Sequence, residues 1–149
     1  MSPETTLDPR SSAPMAAAPA RRTAVNPWTW QEPMGYSQGV HVVGGQQTLF
    51  VAGQTSIDAD GEIVHIGDMA GQVRQALDNV AAVLAQAGFS FADVVRYDVH
   101  TTDVDAYLAA SPAVTERFGG WLPAGGILCQ VARLAMPPLL VEITVSAVH

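Results

Sequence analysis

The sequence contains no lysine: all seven of its basic residues are arginines. That excludes Schiff-base catalysis and lysine-anchored pyridoxal phosphate. Cysteine is nearly absent too. Cys129 stands alone, so no disulfide can form within the chain, which suits a reducing compartment and an expected cytoplasmic location. Positive charge is scarce, and the formal net charge of −7 opposes phosphate backbones, so no nucleic-acid partner is expected. No apolar run approaches the ~18 residues of a membrane helix, so no membrane association is expected. Arg21 and Arg22 are adjacent, but "TAVNPWTWQE" follows them where a twin-arginine leader needs an apolar stretch. There are four histidines. Asp98, His100 and Asp103 are too common a spacing to mark a metal site, and none is expected. No "GxSxG" elbow occurs. The "VVGGQQ" and "PAGGI" stretches lack a phosphate-loop lysine or a following helix, so they read as turns or as backbone approached closely by a neighbour.

What is present fits one globular domain. The chain has 149 residues, 48% of them hydrophobic, enough for a real core. Residues 1–24, rich in Pro, Ala and Ser, read as a mobile tail, and 25–149 as a single domain. Trp28, Trp30 and Tyr36 are expected to pin the arm that follows the tail. Strands are expected at "VHVV", at Thr48–Ser56 and at "EIVHI", with "DADG" as a turn. Asp68 caps a helix carrying Val73, Ala76, Leu77, Val80 and Leu84 on one stripe, closed by Gly88. "DVVRYDVHT" alternates as a strand. Asp103 or Thr102 caps a second helical region that breaks at Ser111-Pro112 and closes at Gly119-Gly120. "ILCQVARLA" and "LLVEITVSAV" are the last strands. The order βββ-α-β-α-ββ is α+β, with two helices on one sheet face.

The other face is the informative one. Arg96, Asp98 and His100 point away from the helical layer, and by strand phase Glu142, Thr144 and Ser146 share their side. A carboxylate in the middle of "LLVEITVSAV" is costly unless it is paired or used. Glu142 therefore either joins a hydrogen-bond network with Arg96 or Arg133 or works on a ligand. A polar inner face also suggests association with other copies around a wet cleft.

Three stretches carry a resemblance: "LFVAGQTSIDADGEI", "GDMAGQVRQALDNVAAVLAQAGFSFADVVRYDVHTTD" and "VARLAMPPLLVEITVSAV". From about Gly35 to Val148 the chain resembles the Rid family, also called YjgF-like proteins. The resemblance implies a chorismate-mutase-like fold assembled as a homotrimer, with the three sheets forming a central barrel, helices outside and ligand clefts between subunits. It implies hydrolysis of reactive enamines and imines, such as 2-aminoacrylate, to a keto acid and ammonia, with no metal or organic cofactor. Active relatives grip the substrate carboxylate with the arginine of a "P-A-R" sequence. Here that position falls on Gly125 or Gly126. The serine often found before "GQ" is Ala52. Tyr36 and the "AGQ" glycine are kept, and Glu142 matches the acid that handles the attacking water. Cys129 lies near the relatives' cysteine, although a strand cysteine also reads as a small buried hydrophobe. Tyr36 either lines the cleft or packs the arm.

The expected function is thus that of a divergent Rid-type enzyme acting on a small imine or enamine. Glu142 is the expected catalytic group, and Tyr36, Ala52, Gly125, Gly126 and Cys129 the expected binding residues. Backbone amides near Gly125 and Gly126 would polarise the substrate. The alternative is a homotrimer that binds a small molecule without turnover. A chaperone-like or ribonuclease role is a third reading, opposed for RNA by the charge.

Overall fold

A computed structural model describes residues 19–45 and 47–149; residues 1–18 of the expected tail lie outside it. Strand β1 (Arg21–Val25) pairs antiparallel with β2 (Gly39–Val43). The main sheet holds β3 (Thr48–Gln54), β4 (Val94–Thr101), β5 (Ala124–Gln130) and β6 (Val141–Val148) in the order β3-β6-β4-β5. It is mixed: β4 and β5 run parallel, while the other neighbours are antiparallel. Helix α1 (Met69–Gln86) and the pair α2 (Val104–Ala110) and α3 (Pro112–Arg117) complete an α+β fold.

The helices start where the carboxylates indicate. Asp68 accepts from the Gly71 amide at 3.0 Å and Asp103 from Ala106 at 2.9 Å, each filling a donor the first turn leaves open. Gly88 follows α1 at φ 80°, the left-handed turn that ends a helix at least cost. The α1 stripe of Val73, Ala76, Leu77, Val80 and Leu84 is buried against Val99, Val141, Ile143 and Val145 of the sheet. Gln72 is fully buried beside it. Its amide donates to the Pro138 carbonyl at 2.9 Å and accepts from the Leu140 amide at 2.8 Å. A helix side chain therefore holds the segment entering β6, where Pro137 and Pro138 have no amide to offer a neighbouring strand.

Several sequence expectations change. "EIVHI" forms no strand. It makes an isolated bridge, Ile57 to Ile63, before His65 (φ 57°) and Gly67 (φ 78°) turn the chain away. Conversely Arg21–Ala24, read as the end of the tail, lie in β1. No apolar alternation announces that strand, because tertiary bonds hold it: Arg22 donates to the Val148 carbonyl at 2.6 Å and to Asp93 at 2.9 Å. Trp28 and Trp30 are exposed and pin nothing. The arm is tied instead by Ser37, whose hydroxyl donates to the Leu122 carbonyl at 2.6 Å and whose amide donates to Pro123 at 3.0 Å. That bridge draws Ala124, Gly125 and Gly126 into β5, so the strand starts before Ile127 and stops at Gln130. The second helical region breaks at Ser111-Pro112 as expected, and its two segments count as separate helices, giving three α-helices among the described residues.

Asp93 makes a pH-dependent clasp. Burial pushes its carboxyl up, but hydrogen bonds from Ser90 and His149 and the charge of Arg22 outweigh that and hold it below its usual value of 3.8. A depressed carboxyl stabilises the fold fully above its unfolded value, and the contribution is lost as pH falls through the folded one. Asp93→Asn is expected to cost about 1–3 kcal/mol at pH 7. It should also flatten the loss of stability below about pH 4. Urea unfolding at pH 7 and pH 3 measures both effects.

Among the described residues no helix is long and apolar enough to cross a membrane.

Candidate functional site

Along β6 burial alternates without a break. Val141, Ile143, Val145 and Ala147 are buried, while Glu142, Thr144 and Ser146 are half-buried on the opposite face. Register places Glu142 opposite His100, Thr144 opposite Asp98 and Ser146 opposite Arg96. The polar face expected from strand phase is therefore real, and no helix covers it. Phe50, opposite Ser146 on β3, stands on it almost fully exposed.

Glu142 has no hydrogen-bond or ion-pair partner among the described residues. Arg96 is bound elsewhere: Nη2 and Nε donate to the two Asp98 carboxylate oxygens at 2.9 and 3.2 Å. The Glu142 carboxyl lies over Gly53, so closely that a Cβ on that residue would overlap it. Gly53 is in ordinary strand conformation, and glycine is required there for space alone. Gly53→Ala should push the carboxyl aside and cut any Glu142-dependent turnover roughly 10-fold to 10²-fold. The melting temperature should change little, which separates misplacement from unfolding.

The glycine pair of β5 serves the same end at the opposite edge of the sheet. A Cβ on Gly125 would lie 2.9 Å from the Tyr36 ring. A Cβ on Gly126 would strike the Asp98–Arg96 pair. Neither position can take a larger side chain without displacing these groups. The Gly125 amide, expected to be available to a ligand, donates to the Ser37 carbonyl at 3.3 Å.

Tyr36, Gly125 and Gly126 line a cavity of about 800 Å³ between β5 and the α2–α3 pair. Tyr97 and Tyr107 line it as well, so all three tyrosines of the chain meet there. Burial, and then the neighbouring Tyr36, push the Tyr97 hydroxyl up; burial, and then Tyr97, do the same to Tyr107. Both stay neutral at physiological pH. A smaller cavity of about 450 Å³ lies beyond Gly53, between the end of β3 and α1. Its wall is set by Asn79, whose amide donates to the Thr55 and Ile57 carbonyls at 2.9 and 2.8 Å.

The six candidate residues thus fall into separate groups. Tyr36, Gly125 and Gly126 share the large cavity at the β5 edge. Glu142 sits near the β3 edge, and Ala52 is exposed on β3 itself. Cys129 is exposed, opposite His100 in register, rather than a buried hydrophobe. Gly53, Tyr97 and Tyr107 were not singled out from sequence. The "AGQ" glycine was the available signal for Gly53; the two tyrosines gave none, since each also reads as core.

A family model described as endoribonuclease L-PSP matches residues 30–149. A RutC family protein of Pyrococcus horikoshii is 37% identical over 118 residues, covering 78% of this chain and 89% of that protein. The crystal structure of YyfB, a Rid-family protein of unknown function from Yersinia pestis, superposes with a TM-score of 0.79 at 33% identity. It covers 86% of this chain and 98% of its own. Escherichia coli TdcF with bound serine superposes with a TM-score of 0.62 at 30% identity, over 76% of this chain and 87% of its own.

Proposed function

This chain belongs to the Rid/YjgF family, the family of the endoribonuclease L-PSP model, and from that premise we propose that it hydrolyses a small reactive imine or enamine in a cleft between copies of itself. The carrying observation is Glu142, a half-buried carboxylate without a partner among the described residues, held over Gly53. A carboxylate so placed is kept for something that arrives from outside.

Assembly follows from the two open sheet edges. The β3 edge carries Glu142 beside it, and the β5 edge carries the tyrosine-lined cavity. Joining the β3 edge of one copy to the β5 edge of the next is a head-to-tail contact, and its closure after three copies into a ring is what the family resemblance implies. The uncovered polar faces then turn inward, and each cleft combines Glu142 of one copy with the cavity of its neighbour.

In that cleft an imine carbon is attacked by water while Glu142 accepts the water proton. Glu142 returns that proton to nitrogen to give the neutral carbinolamine, then takes the hydroxyl proton and passes it to nitrogen as the C–N bond breaks, and the products are a carbonyl compound and ammonia. An enamine first takes a proton on carbon to become the imine. Tyr36 and its neighbours hold the organic part, and no group from outside the chain enters the scheme. The net charge of −7 argues against RNA as the substrate.

The test is ammonia release from imines generated in situ, by wild type and by Glu142→Gln. Acceleration that depends on Glu142 supports the reading. Saturable binding without turnover would favour a purely ligand-binding protein instead, a reading supported by the serine held in TdcF.

A further inference from the structure

The composition of the large cavity bears on what it takes. None of its lining residues is charged. The two charged side chains that abut Gly126, Arg96 and Asp98, satisfy each other on the uncovered polar face of the sheet. The walls are three neutral phenol rings with aliphatic groups between them. Met34, Leu108, Ile127 and Leu128, four of the exposed large hydrophobic side chains, all stand around this one opening. Exposed apolar residues are ordinary when scattered; gathered at the mouth of a concave site they mark a surface meant to be covered. Among the described residues the hydroxyls of Tyr36, Tyr97 and Tyr107 make no hydrogen bond, and of the fully buried polar atoms of the wall residues the Gln38 side-chain nitrogen lacks a partner. The wall hydroxyls of Ser111 and Thr115 already donate within their own helical segment.

We infer that this cavity binds an uncharged molecule with an aromatic or alicyclic ring and one hydrogen-bond acceptor, a carbonyl oxygen or imine nitrogen, which accepts a hydrogen bond from one of the unpartnered tyrosine hydroxyls. The inference rests on the proposed imine chemistry for its context but names a different substrate class from a carboxylate-bearing imine. Ring faces stack on the tyrosines. A carboxylate would lose its hydration with no cation to replace it. The volume of about 800 Å³ lies within the range of sites for ring-sized ligands and exceeds what a two- or three-carbon acid needs.

Benzamide, benzoate and pyruvate serve as probes, with binding read by titration calorimetry on the full-length protein. Benzamide is expected to bind saturably, and at least about tenfold more tightly than either anion, a gap of 1.4 kcal/mol or more. Leu108→Arg, a change at an exposed wall position, should weaken benzamide and bring benzoate in, reversing the preference. Equal or tighter binding of the anions, no benzamide binding, or a Leu108→Arg protein with unchanged preference would each overturn the assignment. Turnover is read separately with imines of benzaldehyde and of pyruvate. Benzamide binding without Glu142-dependent turnover would sink the hydrolase reading and leave the ligand class standing. Glu142-dependent turnover confined to the pyruvate imine would do the reverse.

Discussion

Glu142→Gln is expected to lower kcat for imine hydrolysis by about 10²–10⁴-fold, the usual contribution of one positioned proton-transfer group. KM should change little, because in the proposed cleft the tyrosine-lined cavity of a neighbouring copy, and not the carboxyl, holds the organic part of the substrate. The variant should fold and assemble as wild type does. Glutamine has the same shape, and Glu142 has no protein partner among the described residues that the change would orphan. This combination separates a working carboxylate from a structural one. A structural carboxylate, removed from a network, would lower the melting temperature and leave kcat alone.

The largest loss of stability is expected from Leu77→Ala. Leu77 is 1% exposed, in the middle of the α1 stripe that packs on the sheet. Removing its branched end leaves a cavity that rigid strands on one side and a helix on the other cannot close, at a cost of about 2–5 kcal/mol. That is a large fraction of the total stability of a domain this size. Chemical denaturation should show a lower midpoint with an unchanged slope. The same packing presses β6 into register, so catalysis should fail at a lower temperature in Leu77→Ala while its kcat at low temperature stays near wild type.

Where the fold was legible, one residue pattern had one cause. The α1 stripe, the Asp68 and Asp103 caps, and the alternation of β4 and β6 are local consequences of backbone geometry, and the structure bears them out. What escaped had causes far along the chain. β1 forms because Arg22 reaches Asp93 and the Val148 carbonyl. β5 starts early because Ser37 bridges to Ala124. "EIVHI" has strand composition but bends away before a neighbour can pair with more than Ile63. The candidate residues show the same division. The reason for Gly125 and Gly126 became visible only with Tyr36 and the Asp98–Arg96 pair against them. Sequence spacing gave no hint that Glu142 and Tyr36 stand near opposite sheet edges, because a resemblance carries residue identities and not the distances between them.

That sharing is the central claim, and mixing two inactive variants tests it most directly. Glu142→Gln removes the carboxyl from one side of the cleft. Ile127→Trp, at an exposed position lining the cavity, plugs the other side. Each alone should be inactive. Dissociated and reassembled together in equal amounts, they should recover about a quarter of wild-type activity, since random head-to-tail mixing pairs an intact carboxyl edge with an intact cavity edge at about one interface in four. No recovery in preparations that native mass spectrometry shows to be mixed would contradict a site built from two copies.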